Sequence, residues 1–165
     1  MPGAKESLWI NLSTLNLLLA FFLMLGFPLT AIASSNQTSK LEIPVPGDTI
    51  PKTLTFPLYE KEGIRYFSAG IGKEERSLPY PPYALKLIFV KGDRAFLAGV
   101  TIEIRTKDGN EIITIPAKEV QGPWLFIDLP SGNYFIKATS SEGKTLEKSV
   151  KISKSASSVI HFRWQ

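Results

Sequence analysis

The chain has 165 residues, one histidine, no cysteine, a formal charge of +4 and a pI near 9.3. Without a thiol there is no disulfide, no thiolate metal site and no cysteine nucleophile, although a cysteine-free chain suits either redox compartment. The basic residues, among them Lys86, Lys91, Arg94, Arg105, Lys107, Lys137 and Lys144, are spread without a dense run. They read as a solvated surface rather than a nucleic-acid footprint, which clusters on one element.

No charged residue occurs between Ser7 and Ser39, and Leu15–Phe27 within that window is nearly continuous in apolar side chains. Lys5 precedes the run, Pro28 comes after it, and Ala31-Ile32-Ala33 supplies the small-x-small pattern of a signal-peptidase site. Two readings fit this segment. Residues 1–33 are a signal helix cleaved after Ala33, with Ala31 and Ala33 as the recognition pair, or they are an uncleaved membrane anchor. Counted from Leu8, the apolar window just reaches the roughly 20 residues that span a bilayer. Asn11 and Asn16 weaken its early part and the Ala-x-Ala site favours cleavage. Either reading exports residues 34–165, into the periplasm or to the outer side of an inner membrane. A lipoprotein anchor is excluded, since it needs a cysteine.

Ser34–Pro57 is polar and carries Pro44, Pro46, Pro51 and Pro57. Proline fixes φ and removes a backbone donor, so residues 34–57 read as a linker, with Leu41–Val45 as a short edge strand at most.

From residue 58 to 165 strand succeeds strand. Ile64–Ala69 is the first, then Tyr83–Val90, with Leu85, Leu87 and Phe89 on one face. Arg94–Leu97 is short, and Val100–Arg105 alternates cleanly. Lys107-Asp108-Gly109-Asn110 is a hairpin turn, because Asp-Gly supplies positive φ, and Glu111–Ile115 returns. Gly122–Thr139 (GPWLFIDLPSGNYFIKAT) reads as the central pair, two strands meeting at the turn formers Leu129–Asn133. Period two places Leu125, Ile127 and Leu129 on one face, and Tyr134, Ile136 and Ala138 on another. Thr145–Ile152 comes after a Glu-Gly turn, and Ser158–Trp164 closes with Ile160, Phe162 and Trp164 on the face predicted to be buried. The expected fold is all-β, an antiparallel β-sandwich of about seven to eight strands, since no amphipathic helix separates them.

The Leu129, Pro130, Gly132 and Tyr134 pattern, with a Gly turn and a strand after it, resembles carboxypeptidase regulatory-like domains, which are transthyretin-like (prealbumin-like) sandwiches. Short exported bacterial proteins of this type also carry a Gly-x-Gly-x-Glu-Glu-Arg segment, a Gly-Pro-Trp and a terminal Phe-Arg-Trp. Here these are Gly70 to Arg76, Gly122-Pro123-Trp124 and Phe162-Arg163-Trp164. The resemblance spans about Gly63–Trp164 and implies a fold, with Gly132 serving a turn by positive φ, but no activity. It departs at Pro79, Pro81 and Pro82. Transthyretin-like hydrolases of a purine-derived ring use several histidines and a Tyr-Arg-Gly-Ser terminus, whereas this chain has one histidine and ends His-Phe-Arg-Trp-Gln. The zinc peptidase domain that such modules accompany has no counterpart in these residues.

Candidate sites are sparse. Gly70-Ile71-Gly72-Lys73-Glu74 lacks the Ser or Thr of a phosphate loop and places a carboxylate there instead. It reads as a glycine turn leading into one helical turn. Glu75 and Arg76 are candidates for partner binding or for an ion pair that docks the loop. Trp124 and Phe135 alternate away from the predicted core and are the candidate platform for stacking a sugar. His161 stands without a visible triad or ligand set. No catalytic residue, metal or cofactor is assigned. The expected role is a non-enzymatic binding or scaffolding module that engages another cell-envelope protein by an edge strand or surface patch. A carbohydrate-binding module on envelope glycan is the alternative.

Overall fold

The computed structural model describes residues 37–47 and 51–165; the segment predicted to be a signal helix or anchor, with Ala31 and Ala33, lies outside them. Within them the period-two stretches become strands β1 (Gln37–Pro44), β2 (Thr53–Lys61), β3 (Ile64–Ala69), β4 (Leu85–Lys91), β5 (Ala95–Phe96), β6 (Thr101–Thr106), β7 (Glu111–Ile115), β8 (Trp124–Ile127), β9 (Gly132–Thr139), β10 (Thr145–Ile152) and β11 (Ser158–Trp164). One helical turn, α1 (Lys73–Arg76), comes after β3, and a 3-10 turn spans Ala117–Glu119. Among the described residues no helix is long and apolar enough to cross a membrane. The first sheet runs β1-β2-β3-β8-β4-β11 with β5 attached to β4, and the second runs β10-β9-β6-β7. The described residues form an all-β fold of two sheets, with a core of residues such as Leu85, Leu87, Leu125 and Phe162 facing Ile102, Ile104, Ile113 and Ile136.

Alternation chose the inward faces correctly, but not the neighbours. Leu125, Ile127, Leu129, Tyr134, Ile136 and Ala138 are all buried. Yet β8 and β9 are not a hairpin. β8 lies between β3 and β4, while β9 lies between β10 and β6 in the other sheet. The two inward faces meet across the core instead of side by side. Pro130 has no N–H to continue a ladder, so the chain leaves the first sheet there. The Tyr134 hydroxyl then donates to the Pro130 carbonyl at 2.9 Å and ties the corner. Gly132 is not at positive φ. A Cβ there would stand 3.0–3.2 Å from the Tyr134 ring and hydroxyl, a close fit beneath the side chain that ties the corner.

The predicted linker is strand over much of its length. β1 pairs with β2 from Gln37↔Glu60 to Pro44↔Thr53, so the boundary expected at residue 57/58 falls inside β2. Leu41, Ile43, Leu54 and Phe56 alternate with polar residues and land on the outer face of the first sheet. The prolines are tolerated because β1 is an edge strand and Pro57 lies outside the Tyr59–Lys61 stretch that pairs with β3.

The sheets are not wholly antiparallel either. β11 runs parallel to β4, from Ser158↔Leu85 to Trp164↔Lys91. Its aromatic face points inward as predicted: Phe162 and Trp164 are buried beside Phe89, and the Trp164 indole donates to the Lys144 carbonyl at 3.0 Å. The Lys107–Asn110 turn joins β6 to β7, with Gly109 at φ +88°.

The tightest backbone approach is at Gly122, where a Cβ would fall 2.2 Å from the Ala69 carbonyl oxygen. At Gly72, by contrast, a Cβ would meet nothing within 4 Å and φ is −105°. Urea denaturation should show Gly122→Ala losing about 2–3 kcal/mol, the scale of forced overpacking. Gly72→Ala should lose no more than about 1 kcal/mol, the worth of a helix cap.

Candidate functional site

β3 ends at Ala69, and the chain then crosses the outer face of the first sheet as a strap, from Gly70 to Tyr83. Gly70 takes φ +93°, and a Cβ there would touch the Trp124 ring at 2.9 Å. The Glu75 carboxylate accepts from the Gly70 and Ile71 amides at 2.7 and 3.0 Å. Arg76 donates to the carbonyls of the same two residues at 3.1 and 3.3 Å. Neighbours in sequence thus clasp the donors and acceptors of one turn. Glu74 points elsewhere, to the Lys52 ammonium at 2.6 Å.

That ion pair is about half exposed on both sides, so it contributes at most about 1 kcal/mol. Aromatic packing holds the strap more firmly. Tyr80 lies 4.8 Å from Phe126, 5.7 Å from Phe67 and 5.8 Å from Phe56 between ring centroids, and such contacts contribute about 0.5–1.5 kcal/mol each. Tyr83 adds an edge contact with Phe67 at 5.1 Å. The prolines at 79, 81 and 82 keep this part extended, so both tyrosines reach the sheet. Burial, reinforced by the Glu75 charge, raises the Tyr80 pKa well above its ordinary value, and its hydroxyl donates to the Glu75 carbonyl at 2.8 Å.

Three of the four predicted binding residues, Glu75, Arg76 and Trp124, are therefore brought together, and Phe135 is not. Phe135 stands on the outer face of the second sheet. Trp124 is half-buried; besides Gly70, it carries the Lys86 ammonium 3.3 Å from its ring centroid. The ring is packed rather than open. Lys86 makes no ion pair among the described residues, and burial lowers its pKa below the usual lysine value.

Two residues complete the surface: Ile71, which sequence reasoning missed, and Phe96, one of the chain's aromatics that it passed over for Trp124 and Phe135. The Arg76 guanidinium sits 5.0 Å over the ring of Phe96 on β5. Phe96 is 49% exposed and Ile71 is 64% exposed, unusual for large apolar side chains. Ile71 stands between two glycines and Phe96 in a polar turn; those placements were the only sequence signal. The pairing Val90↔Phe96, which no local pattern announces, brings Phe96 to the strap.

Elsewhere, a cleft of about 500 Å³ opens where Tyr83, Asp128, Ser131 and Lys154 converge, with Asp128 held by Arg65 at 2.9 Å. His161 is exposed on β11 opposite Ile88. Among the described residues no group of three or more His, Asp or Glu side chains is placed to hold a metal ion. Comparison with protein-family models, curated proteins and solved structures returned no match.

The partial burial of Lys86 makes a pH prediction. Its folded pKa lies below the unfolded lysine value, so between the two the unfolded chain binds more protons and stability rises with pH. The buried hydroxyls of Tyr66 and Tyr80 have raised pKa values and act in the opposite sense at higher pH. The difference between wild type and Lys86→Met isolates the lysine. Chemical denaturation from neutral to alkaline pH should show wild type gaining stability relative to Lys86→Met as the usual lysine pKa is approached.

Proposed function

We propose that the chain is an exported, transthyretin-like sandwich that serves as a non-enzymatic docking module for another cell-envelope protein. Its working surface is the Ile71–Arg76–Phe96 cluster on the strap. The observation that carries this reading is that two large, exposed apolar side chains flank one pinned arginine. Aromatic and arginine side chains are enriched where proteins meet. Arginine has five N–H donors, and the two carbonyl contacts here use NH1. The rest can meet a carboxylate while Ile71 and Phe96 take an apolar neighbour. Because backbone bonds already hold the guanidinium, little side-chain entropy is lost on docking. The partner would thus present an apolar side chain next to an acid. Export is supported by the charge-free stretch between Ser7 and Ser39, with its apolar run, and by the Ala31-Ile32-Ala33 site.

The test is photo-crosslinking of the full chain in its native host, with the reactive residue at Ile71, Phe96 or, as control, Glu147 on the other sheet. One envelope protein should be captured at both strap positions and not at Glu147. Phe96→Asp, changing a half-exposed ring, should leave the unfolding midpoint within the range of surface substitutions while cutting capture at Ile71 about tenfold or more. Equal capture at all three positions, or capture indifferent to Phe96→Asp, would remove the strap as the working surface.

A further inference from the structure

The outer face of the second sheet is bare, and its chemistry is not that of the strap. Two adjacent cross-strand rows lie there. Lys151 stands opposite Asn133, whose carbonyl accepts from the Lys107 amide at 3.1 Å. In the next row Ser149 stands opposite Phe135, and Phe135 opposite Arg105. Phe135 is 38% exposed, with its ring in a depression of about 360 Å³ whose lining includes Lys107, Asn133, Ser149 and Lys151. Among the described residues neither lysine has a carboxylate within ion-pair distance. Arg105 reaches only Glu103, at 3.5 Å, and that carboxylate is already held by Lys137 at 2.9 Å. Glu111 accepts from the Thr114 hydroxyl at 2.7 Å.

We propose that this face binds an anionic saccharide, with Phe135 as the stacking platform and Lys107, Lys151 and Arg105 as the counter-charges to its carboxylate groups. An apolar ring suits the C–H face of a sugar, while Asn133 and Ser149 offer donors and acceptors for its hydroxyls. Unpaired cations on both sides of the ring have no purpose for a neutral sugar. Size argues against a nucleic-acid track. The cationic area covers three strands by two rows, roughly 10 Å by 7 Å, bounded by Glu111 opposite Arg105 in the Phe135 row and by Glu103 and Glu147 in the next. That holds one or two sugar units, whereas a phosphate backbone needs a longer basic path. The site is separate from the strap, so either can fail without the other.

Isothermal titration of the full chain with trigalacturonate, against neutral maltotriose, tests it. Trigalacturonate should bind at least about tenfold more tightly, and its affinity should fall as salt rises to about 0.2 M. Phe135→Ala and the pair Lys107→Gln with Lys151→Gln should each weaken binding about tenfold or more, while Phe135→Tyr retains it. All these side chains are exposed, and unchanged unfolding midpoints would certify the variants. Equal affinity for maltotriose, no binding of either sugar, or binding indifferent to these variants would overturn the proposal. So would binding to phosphatidylglycerol vesicles without binding to trigalacturonate, which would make the face a lipid contact.

Discussion

Ala69 and Gly122 approach so closely that no side chain fits between them, and much of the architecture depends on this contact. The Ser68 hydroxyl accepts from the Gly122 amide at 2.8 Å and lies 3.1 Å from the Trp124 carbonyl, fastening the start of β8 to the end of β3. On its other side the Pro123 carbonyl accepts from Phe89 on β4 at 2.9 Å. β8 is thereby wedged between two strands that are distant in sequence, and Trp124 faces outward. Gly70 can turn only over that indole, and the strap continues from there. The Gly-x-Gly-x-Glu-Glu-Arg and Gly-Pro-Trp segments, far apart in the chain, are two halves of one joint. Their presence together in this chain is explained by packing before any binding role is invoked.

How much of this was legible depends on what a pattern can encode. Period two reports which side chains point inward, and it did so for Leu125, Ile127, Tyr134 and Ile136. It says nothing about which strand lies alongside, so the two halves of Gly122–Thr139 were joined in the wrong sheet. The β1–β2 pair was hidden because proline was weighed as a breaker, while its tolerance at an edge depends on the neighbour. The covered outer face did leave a signal. Trp124–Ile127 and Tyr66-Phe67 are continuous apolar runs rather than alternating ones, as befits strands buried on both faces. Phe67 and Phe126 stack at 4.7 Å in that second layer.

The candidate site was legible only in part for the same reason. Glu75 and Arg76 stand out as adjacent opposite charges, and a helical turn after the glycines was correctly expected. Their geometry is decided by backbone groups of Gly70 and Ile71, which a sequence does not display. Phe96 joins them through a two-residue strand paired at Val90 and Lys91, too short to leave any periodicity.

The edges narrow the ways in which this sandwich could meet anything. On β10, Lys148 pairs with the buried Ile136 and so occupies an inward position at a sheet edge, with its ammonium 6.0 Å from the Phe162 ring. An inward charge at an edge is a known obstacle to pairing with another strand. At the other end of the same sheet, Lys61 donates to the Thr114 carbonyl of β7 at 3.4 Å, occupying an acceptor that an added strand would need. Both edges of the second sheet are thus guarded. Edge-strand addition, one of the two mechanisms expected from sequence, is disfavoured there relative to docking on a face. The faces differ in kind: one is roofed by aromatic packing and topped by Ile71, Arg76 and Phe96, while the other is polar and open around Phe135. With both edges of the second sheet guarded, its outer face and the strap over the first sheet are the two surfaces of unlike chemistry that the described residues present.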